Sequence, residues 1–159
     1  MSNVAANVGR WLGALTLLLG TVAGMQAADE SKTAVQLFKA IGADAVQVRS
    51  AAASLNKMTA DPAATWEQYD RQWNQIQPAV EDMQIRIARL EKMETAISPA
   101  ERADVERSKQ LIQQIRNRTR DFLALLDKPG VQTMDARFKT YAKSLLSEAG
   151  KLDTASRVS

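Results

Sequence analysis

Between residues 66 and 97 an apolar side chain recurs at every third or fourth position: Trp66, Tyr69, Trp73, Ile76, Val80, Met83, Ile87, Leu90 and Ile97. Only Glu94 interrupts the series. Alternating steps of three and four are the heptad pattern, which keeps one seam on one side of a long helix. At the helical rise such a segment is roughly 48 Å long. A seam of that length needs neighbours of similar length, so the rest of the chain is expected to supply other helices.

Residues 31–58 carry a matching stripe, Phe38, Ile41, Ala45, Val48, Ala52 and Leu55. Ala34, Leu37, Val46, Ala51 and Ala53 widen it, and a wide face rich in alanine predicts contact with more than one neighbour. Gly42 lies inside this helix, where glycine costs about 1 kcal/mol relative to alanine. Close approach of another helix is the expected reason for it. Pro62 forbids smooth continuation beyond residue 58. Asp61 or Thr65 can then cap the next helix, and Gln68, three residues after Thr65, completes a capping box.

Pro78 falls in the middle of the 66–97 segment. It removes one backbone hydrogen bond and crowds the Asn74 carbonyl, which predicts a kink. The apolar spacing continues across it in register, so one bent helix is expected rather than two. Ser98, Pro99 and Glu101 form the strongest local signal: a capping serine, a proline at the first helical position, and a glutamate three residues after the cap. The helix they start, residues 99–127, carries Val105, Ser108, Ile112, Ile115, Thr119, Phe122 and Leu126 on its seam, with Leu111, Leu123 and Leu125 beside them. Lys128, Pro129 and Gly130 stop it. A shorter helix over 133–152 follows, with Met134, Phe138, Tyr141, Leu145 and Ala149 on its apolar face.

No stretch alternates apolar and polar residues as a half-buried strand does. The expected fold is therefore all-α: an antiparallel up-down-up-down bundle of four helices, three long and one shorter. A flatter helical hairpin that closes by oligomerisation is the alternative.

The N-terminus changes this picture. Arg10 precedes an apolar run from Trp11 to Ala23 and a set of small residues ending in Ala27 and Ala28, before the acidic Asp29 and Glu30. This is the pattern of a secretory signal peptide, and its run is shorter than the ~20 residues that span a bilayer. The expected division is a signal peptide over 1–27, a bundle domain over 28–153 and a disordered polar tail over 154–159. A periplasmic or secreted location in a bacterium follows, with no stable membrane anchor after cleavage.

The chain of 159 residues is 45% hydrophobic and 25% charged, with 7 Gly and 4 Pro, which suits a single helical domain. Loss of Arg10 with the leader leaves 20 basic against 18 acidic residues. A field that weak predicts no nucleic-acid partner. The chain has no Cys and no His. Disulfides, thiol nucleophiles, and the usual haem, di-iron and zinc ligand sets are thereby excluded. Glu81 with Asp82, Asp104 with Glu106, and Asp29 with Glu30 remain for a hard cation, but none has the spacing of a calcium loop. Ser54 and Lys57 match a Ser-x-x-Lys spacing without its companion motifs. We therefore expect no enzyme activity, no metal and no cofactor.

Two features carry a functional expectation. Arg102, Lys109, Arg116 and Arg120 share one flank of the 99–127 helix, together with Glu106 and Gln113. They form either a solvated face, paired in part with Asp70, Asp82 or Glu91, or an electrostatic face for an acidic partner or an anionic envelope surface. Trp66, Tyr69, Trp73, Phe122, Phe138 and Tyr141 would gather at one end of such a bundle, leaving only Phe38 towards the other. They anchor a core there, or line a site for an apolar ligand or an unfolded segment.

At the level of fold type, a small exported bundle without cofactor ligands resembles bacterial envelope proteins such as helical chaperones and sensor domains. The function expected is macromolecular binding in the cell envelope, as an adaptor or holdase-like protein. The partner is another envelope protein, an unfolded segment or, for a homo-oligomer, a second copy. A bundle that binds a small molecule, or senses one, at the aromatic end is the alternative.

Overall fold

A computed structural model describes the backbone of residues 9–93, 97–126 and 136–157, and side chains from residue 29 onward. Four helices make up the fold: α1 (Gly9–Met58), α2 (Trp66–Glu91), α3 (Pro99–Leu126) and α4 (Ala136–Ala155). There is no strand among the described residues. Glu94, the expected stop at Lys128, Pro129 and Gly130, and Met134 lie outside them.

The helices contact one another in a ring. α1 packs against α2 and α4, and α3 packs against the same two, while neither α1 with α3 nor α2 with α4 makes backbone contact. The seam residues face inward. Phe38, Ile41, Ala45, Val48, Ala52 and Leu55 of α1 are all buried, and Ala34 extends the stripe by one turn. On α2, Tyr69, Trp73, Ile76, Val80, Met83, Ile87 and Leu90 are buried as their spacing requires. Each large apolar side chain removed from water contributes on the order of 1.5–3 kcal/mol. These two stripes and their partners on α3 and α4 thus supply the main driving force.

Several expectations are corrected. α1 begins at Gly9 rather than near residue 31, because nothing between residues 11 and 58 breaks a helix. Trp66 is 43% exposed although it lies on the heptad seam, since it starts α2 and projects past the end of the packed layer. Val46 is 40% exposed, so the apolar face of α1 is narrower than its composition implied. α4 continues to Ala155, and Ser156 beyond it is buried, so the chain is ordered into the segment expected to be a polar tail.

Helix starts follow the sequence closely. Thr65 is the N-cap of α2, and its N–H donates to Gln68 Oε1 at 3.0 Å. Asp61 instead accepts from the Ala63 N–H within the preceding turn. At α3 the capping box is complete: the Ser98 N–H donates to Glu101 Oε2 at 2.6 Å, and the Glu101 N–H donates to Ser98 Oγ at 3.2 Å. α2 runs unbroken across Pro78. Beside the gap that the proline leaves in the ladder, Gln47 of α1 donates its side-chain amide to the Gln75 carbonyl at 3.1 Å.

α1 and α4 approach closely at Gly42. A Cβ there would lie 2.6 Å from Ser156 Oγ, which donates to the Asp153 carbonyl. Gly150 of α4 is different, because a Cβ there would meet only Arg49 Cδ, at 3.8 Å. Gly150→Ala is expected to stabilise the protein by up to about 1 kcal/mol, the helix-propensity gain. Gly42→Ala is expected to gain little or nothing, because the serine hydroxyl must give up its place. Urea denaturation of the two variants checks this, and equal stabilisation by both would refute the close approach.

The α3 cap has its own signature. The Ser98 N–H, and then the Ser98 hydroxyl, hold the Glu101 carboxyl below its ordinary pKa. A lowered pKa contributes stability in full above the unfolded value near 4.3 and loses it as pH falls through the folded value. Ser98→Ala is expected to cost about 1 kcal/mol. Glu101→Gln is expected to be less stable than the parent at pH 7, with the difference closing below pH 4. Thermal melts across that range measure it.

Candidate functional site

The aromatic end is assembled from the first two turns of α2, the last two of α3 and the start of α4. Trp73 stacks on Phe122, with ring centroids 5.7 Å apart and planes 13° from parallel. Phe122 meets Phe138 edge-on at 5.1 Å. Tyr69 lies 5.9 Å from Phe138, and Trp66 lies 5.9 Å from Tyr69 and 6.1 Å from Phe138. Pairs of this kind add roughly 0.5–1.5 kcal/mol each beyond area burial.

Five of the six expected residues are thus brought together. Tyr141 is half-buried against the core and makes no ring contact among the described residues. Tyr69, Phe122 and Phe138 are fully buried and Trp73 nearly so, which makes this a packed layer with Trp66 as its one exposed ring. Burial pushes the Tyr69 hydroxyl pKa up, and the nearby Asp61 charge pushes it further.

The basic flank of α3 faces solvent on the side towards α2. Lys109 pairs with Glu91 of α2, and the glutamate raises the lysine pKa by its hydrogen bond and then its charge. Asp82 is engaged by Arg86, which also pairs with Asp44 of α1, and Asp70 accepts from Asn74. Arg102, Arg116 and Arg120 are exposed and make no ion pair among the described residues. Arg118, on the opposite flank, lies 3.7 Å from Glu148 of α4. Burial raises the Glu148 pKa against the opposing pull of Arg118.

Two other constellations were not foreseen. Asp153 on α4 is 4% exposed, and its carboxylate accepts from Arg49 of α1 at 3.1 Å and from Arg157 at 3.0 and 3.1 Å. Around the other side of α4, a groove of about 650 Å³ separates it from α3. Arg107, Gln110 and Gln114 form one wall, Ser147, Lys151 and Thr154 the other, with Leu111 and Ala155 also in the lining. The three-and-four spacing of 107, 110 and 114 was a readable signal, because it places polar residues on the flank of α3 opposite the arginine stripe.

No group of three carboxylates comes together among the described residues. Nor is any described helix long and apolar enough to cross a membrane. Ser54 donates to the Ser50 carbonyl one turn back, a bond internal to its helix.

Comparison with family models, curated proteins and solved structures found no match. The site must be weighed on its own geometry.

If the aromatic layer is structural, Trp73→Ala should cost about 3–5 kcal/mol, as expected for a large buried ring. Trp66→Ala should cost under about 1 kcal/mol, since Trp66 is half out of the layer. Chemical denaturation followed by far-ultraviolet dichroism distinguishes the two. Comparable losses at both positions would show that Trp66 is as much a part of the core as Trp73.

Proposed function

We propose that this chain is an exported, non-catalytic antiparallel bundle that acts by binding another macromolecule in the bacterial cell envelope. The up-down-up-down arrangement is supported by pairs that run in opposite senses along neighbouring helices. Asp44 faces Arg86 and Gln47 faces Gln75, while Arg49 faces Asp153 and Gly42 lies beside Ser156. Export is supported by the charged start, apolar run and small residues of the first 27 positions.

The observation that carries the binding role is the set of arginines on the outer flank of α3. Arg102, Arg116 and Arg120 line up over about five turns of helix, exposed and without a carboxylate partner among the described residues. Unpaired guanidinium groups in a row recognise carboxylates with good geometry and steer an acidic partner. The aromatic layer favours this over small-molecule binding, because its rings are filled by one another.

Native mass spectrometry of the protein purified from its source envelope at low salt tests the reading. A copurifying protein chain is expected, and the Arg116→Glu, Arg120→Glu double variant should lose at least tenfold of it. Unchanged retention by that variant would remove the arginine face from consideration. A retained small molecule in place of a chain would favour a ligand-binding bundle.

A further inference from the structure

The groove between α3 and α4 has features that a solvated helix junction does not need. Its central part is lined by two cations, Arg107 and Lys151, and by no carboxylate. Lys151 makes no ion pair among the described residues, its charge acting on Glu148 one turn back, and Arg107 has only a 3.9 Å contact with Asp104 one turn back. Gln110 and Gln114 also line it, and neither amide is hydrogen-bonded within the groove; Gln113, which does bond Asn117, lies outside it.

The groove continues past Arg107, Thr154 and Ala155 into a second hollow of about 490 Å³ that shares those three residues. Ser98, Glu101, Asp104 and Arg157 also line that hollow, so the carboxylates lie towards the start of α3 and the cation pair, Arg107 with Lys151, at the centre. From residue 98 to residue 114 the α3 wall is roughly 24 Å long at the helical rise. That length takes about seven residues of extended chain at some 3.3 Å each.

The spacing of the wall residues decides what kind of occupant fits. Gln110 and Gln114 stand one turn apart, roughly 6 Å along the helix axis. Alternate residues of an extended chain repeat at about 6.6 Å. Two carboxamides at that interval match successive outward-facing backbone N–H and C=O groups of a strand, and each carboxamide both donates and accepts. A docked helix would present no free backbone to them, and it would ask for a row of apolar anchors where the lining offers only Leu111 and Ala155. On the opposite wall Ser147, Lys151 and Thr154 recur at steps of four and three. Thr154 already donates to the Gly150 carbonyl, so its oxygen is left to accept.

We propose that the α3–α4 groove binds an extended peptide segment carrying an acidic side chain, with Gln110 and Gln114 pairing its backbone and Arg107 and Lys151 holding its carboxylate. This rests on the reading of the protein as a macromolecular binder but uses the flank of α3 opposite the arginine stripe. The two surfaces therefore fail or stand separately.

The test uses the full chain labelled with ¹⁵N and a capped octapeptide of alanine and serine with one central aspartate. Titration should shift the side-chain amide signals of Gln110 and Gln114 and the backbone amide of Gly150. Lys151→Glu and Arg107→Glu should each weaken binding at least tenfold, and Gln110→Ala with Gln114→Ala should do the same while helicity by dichroism stays at the parent value. The Arg116→Glu, Arg120→Glu variant should bind the peptide as the parent does. A peptide of the same composition with alternate backbone nitrogens methylated should bind at least tenfold more weakly. Three results would each overturn the proposal: no shift at the groove residues, equal binding when lysine replaces the aspartate, or equal binding of the methylated peptide.

Discussion

Every helix of this chain has one apolar stripe, and none can bury it alone. That constraint organises the molecule. α1 carries buried residues at 34, 38, 41, 45, 48, 52 and 55, an unbroken alternation of four and three. A stripe of that regularity stays on one side of a helix only when the helix lies nearly along its neighbours. The ring of contacts from α1 through α2, α3 and α4 back to α1 answers that requirement. The capping boxes at Thr65 and Ser98 then fix where two of the helices begin, and so fix the register in which the stripes meet.

Within the ring, the α1–α4 contact is held differently from the rest. Small residues bring the helices together at Gly42, and a buried carboxylate is set beside that approach. Asp153 is tolerable in this position because two guanidinium groups satisfy it, one from α1 and one from the chain just beyond α4. Removing either would leave charge buried with half its partners, which costs far more than the pair contributes. Arg157 also explains why the chain stays ordered past Ala155. Its pKa is raised by its hydrogen bond to Asp153 and then by that carboxylate's charge. The segment is polar in composition, yet it is pinned by one pair and by the buried Ser156.

Much of the fold was legible because its information is local and periodic. The a/d spacing identified buried residues on all four helices, and the Ser98 cap located the start of α3 to the residue, whereas Asp61 and Thr65 both stood as caps for α2 until Thr65 was seen to take that place. What was not legible depends on position relative to other elements. Trp66 obeys the heptad and is exposed because the packed layer ends beneath it. Val46 is as apolar as Val48 two residues on, but it is 40% exposed, at the rim of a hollow it shares with Asp153, Ser156 and Arg157. Asp153 reads as a charged residue near a helix end until Arg49, 104 positions earlier, is seen beside it. Five of the six aromatics expected at one end meet there, with Tyr141 outside their ring contacts, but spacing could not say whether they fill that end or leave room in it.

The same limit applies to function, and it follows from the chain's chemistry. Without Cys or His, recognition has to be carried by guanidinium, ammonium, hydroxyl and carboxamide groups, none of which announces itself by a motif. On a helix these groups gain meaning from their interval. α3 presents two such intervals on opposite flanks. One is a line of arginines whose neighbour, Lys109, is drawn across to Glu91 on α2. The other is a pair of glutamines between Arg107 and the lysine of α4. The two flanks bound the same buried seam, in which Ser108 and Thr119 take core positions between Val105 and Phe122. α3 is accordingly a helix whose apolar stripe is diluted by two buried hydroxyl side chains. A helix that gives up core contacts in this way depends on α2 and α4 to hold it. That dependence keeps both of its polar flanks in place relative to the rest of the bundle, so the spacing of the side chains on them is set by the core and not by the flanks themselves.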